Sequence, residues 1–350
     1  YKLNMEKFLT IVIPTYNMEK YLDKCLTSLI IKDNVELMNS FEVLVIIDGA
    51  KDRSSEIAHS YQNRYPNTFR VIDKENGNYG SCVNRGLHEA TGQYIKILDA
   101  DDYFDNQSLI DFLNIIKTVS ADLILSDYNI VDKYGSVTEH RSFDIAPNVI
   151  EKIENIQRPL SEIEMHAITY RRQMLIDMDY KQTEGISYTD TEWAYLPLKM
   201  VNDVYYIRTS LYQYLVGREG QTMDNTVFIK NFDQMLSIYK MLTKLYGRTL
   251  YKHKASYVFY KRLYSFYVRY FSSSIIERIF PNEQAIEVDE FLKTSAYDIY
   301  INLEKLEYSK IRYMKLWRDN QYKLPYIKRL LILIIRYKQK YFPKVRLGRL

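Results

Sequence analysis

The chain has 350 residues, 47% hydrophobic and 26% charged, which excludes an intrinsically disordered protein and allows about two globular domains. Its two cysteines, Cys25 and Cys82, lie among apolar residues, so we expect buried free thiols in a reducing compartment and no disulfide framework. The net charge is only +4, but nine basic residues and no acidic one follow Asp319, which makes the end of the chain a separate electrostatic region.

Four strands are predicted early in the chain, at 8–14, 42–48, 69–73 and 94–98, because each is a short apolar run bounded by turn residues. Helical patterns fill the gaps: one around residues 21–30, one from about residue 52, and one over 81–90. Strands that alternate with helices form parallel sheets with right-handed crossovers. We therefore predict a Rossmann-like α/β fold.

Beyond residue 105 the pattern is mixed and then helical. Short strands are predicted at 122–126, 204–207 and 211–215, and from about residue 226 apolar residues recur at helical spacing. We therefore divide the chain into residues 1–105 and 106–225, two halves of one domain, and a helical region 226–350 that ends in the basic segment 323–350.

Three carboxylates, Asp99, Asp101 and Asp102, follow directly on the fourth predicted strand. Ligands bind at the carboxyl ends of strands in open α/β sheets. Closely spaced carboxylates repel each other unless a cation compensates, and hard ions such as Mg²⁺ or Mn²⁺ prefer oxygen ligands. The alternative is a polar loop in which Asp102 or Asp105 caps the next helix.

Two other predicted strands also end in polar residues. Pro14 and Tyr16 end the first, and Asp48 ends the second, where it can accept hydrogen bonds from a base or ribose or can serve in an Asx-turn. A glycine-rich turn at 75–80 leads into a helix that carries Asn84 and Arg85, an arrangement suited to anionic ligands but also common in ordinary turns.

Taken together, these segments resemble the family 2 glycosyltransferases in order and spacing. The matching segments are Ile-Pro-Thr-Tyr-Asn at 13–17, Asp-Gly at 48–49, Asn-Arg-Gly at 84–86 and Asp-Ala-Asp-Asp at 99–102, a DXD-type motif. The resemblance implies the GT-A fold, with a mostly parallel central sheet flanked by helices. It also implies a nucleotide-sugar site in residues 1–105 and an acceptor site in residues 106–225.

The same resemblance implies roles for these residues. Pro14, Tyr16 and Asp48 would border the nucleoside. Asp99 and Asp101 would hold the metal, Mn²⁺ or Mg²⁺, and the donor diphosphate, with Asp101 as the more direct ligand. Asn84 and Arg85 would belong to the same donor site.

Two later segments resemble the family less closely. Residues 185–193 are similar to the segment that carries the catalytic base, which implies that role for Asp190; the family usually has Glu-Asp where Thr189-Asp190 stands, and Glu192 is a competing candidate. Residues 211–223 are similar to a later motif of capsule and exopolysaccharide transferases. Arg218 there is either a diphosphate or acceptor-phosphate ligand or a surface arginine.

Two further features allow alternative readings. His166 either packs against apolar neighbours or faces the acceptor cleft. The segment 323–350 contains an apolar run at 330–335 flanked by basic residues, which is far shorter than the ~20 residues of a spanning helix. It reads either as a helix that binds a membrane surface or as a final helix packed on the core.

We therefore expect an inverting, metal-dependent glycosyltransferase that moves a hexosyl or N-acetylhexosaminyl group. The donor would be a nucleotide-sugar, UDP-linked, and the acceptor a lipid-linked cell-surface polysaccharide. No nucleic acid is expected as a partner. With no signal peptide before the first strand, we expect a cytoplasmic protein, peripheral at the inner face of the membrane. The alternatives are a sugar nucleotidyltransferase and a non-catalytic binding subunit of a transferase complex.

Overall fold

A computed structural model describes residues 7–218, 229–248, 254–305 and 312–341. The chain forms two compact units that divide after Ile238. The first unit is α/β and contains one sheet of ten strands, to which residues 1–105 and 106–225 both contribute. The second unit is helical, in agreement with the periodicity of its sequence.

The ten strands in chain order are β1 Leu9–Thr15, β2 Phe41–Asp48, β3 Phe69–Lys74, β4 Tyr94–Ile97, β5 Tyr103–Phe104, β6 Leu123–Val131, β7 Val137–Arg141, β8 Ile150–Lys152, β9 Ile168–Arg171 and β10 Asp203–Leu215. Their order across the sheet is β3-β2-β1-β4-β9-β6-β10-β5, with β7 paired to β6 and β8 to β10. The first four strands are parallel, whereas β9 runs antiparallel to both neighbours. The expected parallel arrangement therefore holds in the first half of the sheet, and the second half is mixed.

The helices of the first unit are α1 Leu22–Thr27, α2 Val35–Asn39, α3 Ser54–Arg64, α4 Asn78–Glu89, α5 Asn106–Ile116, α6 Arg172–Asp177 and α7 Asp190–Tyr195, with α8 Phe232–Arg248 crossing into the second. Short 3-10 turns lie at Ile153–Asn155, Pro159–Glu162, Met165–Ala167 and Leu196–Lys199. Asp105, not Asp102, caps a helix: its carboxylate accepts from Ser108 N at 2.9 Å at the start of α5.

Close packing of α4 on β1 explains one motif glycine. A Cβ atom at Gly86 would lie 2.4 Å from Cγ1 of Val12, a distance that real side chains do not adopt. Gly86 therefore lets α4 lie directly on the buried strand β1, whose carboxyl end carries Pro14.

One strand prediction is wrong. Residues 204–207 and 211–215 are not two short strands but parts of the single 13-residue strand β10. The pairing with β6 shifts register between Ile207 and Ser210 and again between Ser210 and Tyr212. The polar residues that suggested a break form this irregularity, and β6 stays paired on both sides of it.

The helical unit contains α9 Ser256–Phe271, a π-helical segment Ser272–Glu277, α10 Asn282–Ser295, α11 Tyr297–Lys305, α12 Arg312–Asp319 and α13 Tyr326–Tyr341. Aromatic side chains such as Tyr267 and Trp317 fill its core. Within this core the guanidinium of Arg318 pairs with the buried carboxylate of Asp289 (2.5 Å) and with Glu304 (2.8 Å). A buried cation is therefore compensated by two acids.

Candidate active site

A cleft of about 310 Å³ opens at the carboxyl ends of β1, β2 and β4. Other walls come from the start of α4, from the Met165–Ala167 turn, from the segment that leads into α7, and from the end of β10. Eight residues singled out in the sequence line it: Pro14, Tyr16, Asp48, Asp99, Asp101, His166, Asp190 and Arg218. Sequence positions up to 204 residues apart thus meet in one cavity of ligand size.

The end of β1 presents an exposed aromatic ring to the cleft. Tyr16 is 45% exposed, and Asn17, which follows it, has a left-handed backbone with φ of 53°. The Asn17 side chain accepts a hydrogen bond from Lys51 N at 2.8 Å. This hydrogen bond connects the loop after β1 to the loop after β2 and thereby helps to hold the backbone next to Tyr16 in place.

Asp48 is a buried, braced carboxylate rather than a free one. It accepts from the Lys74 ammonium at 2.5 Å and from Gly77 N at 2.9 Å, and the Asn76 amide donates to its carbonyl at 2.9 Å. These contacts hold the glycine-rich turn against the end of β2. Asp48 therefore has a structural role in addition to its place in the cleft wall.

The three carboxylates after β4 converge, with one oxygen of each within 4.8 Å of the others. Asp99 accepts from the Tyr79 hydroxyl at 2.8 Å. Asp102 is fully buried and accepts from the Tyr212 hydroxyl and from Leu215 N, both at 2.7 Å. Asp102 thus braces the loop against β10, while Asp99 and Asp101 line the cleft.

Burial and mutual repulsion act on these acids together. Burial, and then the charge of Asp101, raises the pKa of Asp99 to about 7. The same two causes raise the pKa of Asp102 well above its usual range. A divalent cation would relieve the repulsion, and a cluster of carboxylate oxygens suits a hard ion. Asp99 and Asp101 therefore fit the metal-binding role.

Arg218, which follows β10, forms an ion pair with Asp101. It is preceded by Gly217, which has a left-handed φ of 84°, and its guanidinium lies 5.4 Å from the Tyr21 ring centroid. The arginine is therefore part of the cleft and not a surface side chain, and it places a positive charge beside the acidic loop.

The two candidate bases lie in different environments. Asp190 begins α7 and lines the cleft, just after Tyr188, which has a left-handed φ of 66°. Glu192 is only 1% exposed, and its carboxylate accepts from Thr183 N and from the Thr183 hydroxyl, both at 2.7 Å. Glu192 is thus engaged in holding the preceding loop, and Asp190 is the acid that faces the cavity.

Known proteins resemble this chain in sequence and in fold. The family described as Glycosyl transferase family 2 matches residues 10–178. The uncharacterized glycosyltransferase MG025 homolog of Mycoplasma pneumoniae is 30% identical over 220 residues, which are 61% of this chain and 69% of that protein. The chain belongs to the family 2 glycosyltransferases.

The staphylococcal enzyme TarS, a poly(ribitol-phosphate) beta-N-acetylglucosaminyltransferase of Staphylococcus aureus, is 28% identical to this glycosyltransferase over 222 residues, or 63% of this chain and 37% of TarS. The crystal structure of TarS residues 1–349 with UDP-GlcNAc superposes with a TM-score of 0.69 at 20% identity, and covers 95% of this chain and 93% of that one. The GT-A-like fold with a helical C-terminal region is therefore confirmed.

Two residues predicted for the donor site do not reach the cleft of this glycosyltransferase. Asn84 bridges to the loop before α7: its amide donates to Gln182 O at 2.9 Å and to Glu184 at 2.8 Å. Arg85 is exposed and pairs with Glu89 at 3.0 Å, one turn along the helix. Because α4 starts at Asn78, these residues lie almost two turns from its N-terminus, where their side chains contact other parts of the protein.

Several residues of the glycosyltransferase cleft carried no readable sequence signal. Tyr79 and Asn78 enter from the first turn of α4, and Met165 enters from a 3-10 turn. The only available hint was the spacing of Tyr79 and Cys82, which puts both on one face of a helix that follows a glycine-rich turn.

His166 both packs and lines the cleft, so the two readings of this residue are compatible. Its ring stacks on Tyr214 at 4.2 Å between centroids and meets Tyr212 at 4.8 Å. Its carbonyl accepts from the ammonium of Lys96 at 2.8 Å, and Ile168 O accepts from the same ammonium at 3.1 Å. Burial lowers the pKa of this fully buried lysine to about 7. Lys96 therefore anchors one wall of the cleft from within the sheet.

Proposed function

We propose that the protein is an inverting, metal-dependent glycosyltransferase that uses a UDP-sugar. The observation that carries this proposal is the presence of Asp190 and the acidic pair Asp99 and Asp101 in the walls of one cleft of about 310 Å³. A single-displacement reaction needs a base and a charge-stabilising site of this kind close together. The TarS complex supports UDP-GlcNAc as the first donor to try.

In this reaction Asp190 accepts the proton of an acceptor hydroxyl. The hydroxyl oxygen forms a bond to the anomeric carbon while the bond from that carbon to the diphosphate oxygen breaks, and the electron pair leaves with the nucleoside diphosphate. Asp99 and Asp101 would hold Mn²⁺ or Mg²⁺, which when bound neutralises charge on the leaving diphosphate. Attack from the opposite face inverts the anomeric centre.

The remaining cleft residues bind and orient. Pro14, Tyr16 and Asp48 border the nucleoside, with the Tyr16 ring exposed for stacking. Arg218 adds a positive charge beside the position of the diphosphate. Its ion pair with Asp101 holds the guanidinium at this place before the donor binds.

The acceptor proposed is a hydroxyl of a cell-surface polymer, lipid-linked during synthesis. The relationship to TarS supports a polymer acceptor, since that enzyme is named for poly(ribitol-phosphate). A capsular or exopolysaccharide chain is the class that the later motif at 211–223 favours.

The experiment that tests this function is a panel of nucleotide sugars scored for release of nucleoside diphosphate, with and without Mn²⁺. We expect release from a UDP-sugar, and a loss of at least about tenfold when the metal is chelated. Pyrophosphate-dependent formation of a nucleotide sugar would indicate a nucleotidyltransferase instead. Binding of a donor without any release would indicate a non-catalytic subunit.

We also propose that α13 binds the inner face of the membrane. Among the described residues no helix combines the length and the apolar character needed to cross a bilayer. This helix instead exposes an apolar face with basic residues beside it: Tyr326, Ile327, Leu330, Leu331, Ile334 and Tyr337 are each at least 43% exposed. Such a face inserts into the headgroup region, and basic neighbours favour anionic lipids.

The membrane proposal is tested with Ile327→Ser/Leu331→Ser. We expect this double variant to move from the membrane fraction to the soluble fraction, because both side chains are exposed and contribute apolar area to the surface. Unchanged partitioning would contradict membrane binding by α13.

A further inference from the structure

The helical unit has its own cavity of about 540 Å³, and the described residues that line it lie in segments 274–282 and 317–324. Its walls are mixed: Ile275, Phe280, Trp317 and Leu324 supply apolar and aromatic surface, and residues such as Asn282 supply polar surface. Two basic side chains, Arg278 and Lys323, also line it, and none of the described lining residues is acidic. The cavity therefore combines apolar and aromatic surface with a positive charge on each of two chain segments.

Neither cation is paired within the part of the chain that the structure describes. Arg278 and Lys323 are exposed, and their side chains form no ion pair or hydrogen bond with any residue that the structure describes. Arg318 of the same unit is the contrast, since it is held by two acids. One turn into α13, Arg329 has Nε and one further guanidinium nitrogen buried without a hydrogen-bond acceptor in the described part of the chain. Arg278, Lys323 and Arg329 thus have no anionic partner in the part of the chain that the structure describes.

The backbone around the cavity is strained on both sides. Arg278 has a left-handed φ of 56° at the end of the π-helical segment, and Gln321 and Tyr322 have φ of 52° and 61°. Non-glycine residues adopt these angles only when the surroundings enforce them, and such strain and π-helical turns concentrate at functional sites.

The surroundings do enforce this backbone. The Trp317 indole donates to the Asn282 side chain at 3.1 Å, Asn282 donates to Tyr322 O at 3.2 Å, and the Tyr322 hydroxyl donates to Glu290 at 2.6 Å. These hydrogen bonds connect the two segments that line the cavity, and among the described residues they do not engage Arg278 or Lys323.

The exposed apolar face of α13 begins at Tyr326, two residues after the cavity residue Leu324. A ligand that fits the cavity would have an anionic group that pairs with Arg278 and Lys323. It would also have apolar chains that contact the apolar part of the cavity walls and the exposed face of α13. We propose that the cavity binds the phosphate headgroup of an anionic membrane lipid. This rests on the proposed membrane association, and it adds a defined lipid site to it.

The test titrates monomeric dihexanoyl-phosphatidylglycerol into the full chain and follows tryptophan fluorescence, since Trp317 lines the cavity. The test variant is Arg278→Gln/Lys323→Gln. The control, Lys293→Gln/Lys315→Gln, removes the same charge from exposed positions of the same unit outside the cavity. We expect saturable binding that is at least about tenfold weaker in the test variant and changed less than about twofold in the control.

Two further arms separate the possible causes. Inorganic phosphate alone at the same concentration should not saturate the site, since it has nothing to fill the apolar walls; equal affinity for phosphate would overturn the lipid assignment. Equal weakening by the test and control variants would also overturn it, as would the absence of any saturable response.

Donor hydrolysis by the test variant should equal that of the wild type, so a failed lipid site is distinguishable from a failed transferase. We expect Ile327→Ser/Leu331→Ser to lose vesicle binding and to keep short-chain lipid binding, which would show that the cavity binds the lipid independently of membrane binding by α13.

Discussion

At the scale of single residues, the cleft depends on charged groups that are buried in different ways. Asp102 accepts hydrogen bonds from two donors, and Asp101 pairs with an arginine. Lys96 donates to two main-chain carbonyls and, among the described residues, forms no ion pair with an acid. Lysines without a carboxylate partner are rare in protein interiors. We infer that Lys96 is a positioning residue: it holds the carbonyl of His166, whose ring forms a wall of the cleft.

This lysine makes stability depend on pH in a definite direction. Burial lowers the pKa of Lys96 to about 7 in the folded protein, from an ordinary lysine pKa of 10.5. Between these two pH values the unfolded chain binds more protons than the folded one, so the free energy of unfolding rises with pH, by at most about 1.4 kcal/mol per pH unit. Lys96→Met removes this dependence.

The measurement is urea unfolding of wild type and Lys96→Met at pH 7 and pH 9. We expect the stability of wild type relative to the variant to be greater at pH 9 than at pH 7. A difference between the two proteins that does not change with pH would contradict a depressed lysine pKa.

At the scale of elements, the close approach of α4 to β1 positions the cleft. Because a Cβ at Gly86 would lie 2.4 Å from a methyl carbon of Val12, Gly86→Ala must push the helix from the strand. We expect a loss of about 1–3 kcal/mol of unfolding free energy from overpacking, which exceeds the gain of up to about 1 kcal/mol in helix propensity. Urea unfolding measures the net effect.

The compensating variant Gly86→Ala/Val12→Ala is the matched test of this explanation. Removing the two methyl groups of Val12 opens the space that the alanine needs, so the double variant should recover part of the loss relative to Val12→Ala alone. Additive losses in the two single variants would mean that the clash is not the cause.

The bounds of individual strands and helices show where prediction from the sequence succeeds and where it fails. β1, β2 and β4 are mainly apolar runs that are buried on both faces, whereas β3 is only partly buried. The predicted bounds of all four strands differ from those observed by one residue at most. β10 was predicted as two strands because its middle is polar, but pairing with β6 overrides local composition there. The helix α2 was not predicted, since its five residues are too few to show a period.

At the scale of the whole molecule, the local pattern predicted cleft residues at strand ends, whereas Asp190 and Arg218, in later segments, were predicted from the family resemblance. Pro14, Asp48 and Asp99 reach the cleft because parallel strands bring their carboxyl ends to one edge. Met165 enters the same cavity from a 3-10 turn whose placement no local pattern encodes. Tyr214 lies in a segment that was predicted as a strand, but its place in the cavity depends on the pairing of β10 with β6. Asn84 and Arg85 had a convincing motif, but the distance along α4 takes them away from the cleft.

The central claim is that Asp190 is the base of a transferase, and kinetics with donor binding in Asp190→Asn test it most directly. With a UDP-sugar and Mn²⁺, we predict that kcat for UDP release falls by about 10²–10⁴-fold while the donor Kd changes less than about twofold, since the base acts on the acceptor. Glu192→Gln is the comparison: its main effect should be on stability, because Glu192 holds Thr183 and does not line the cleft. Turnover above about a tenth of wild type in folded Asp190→Asn would contradict the account.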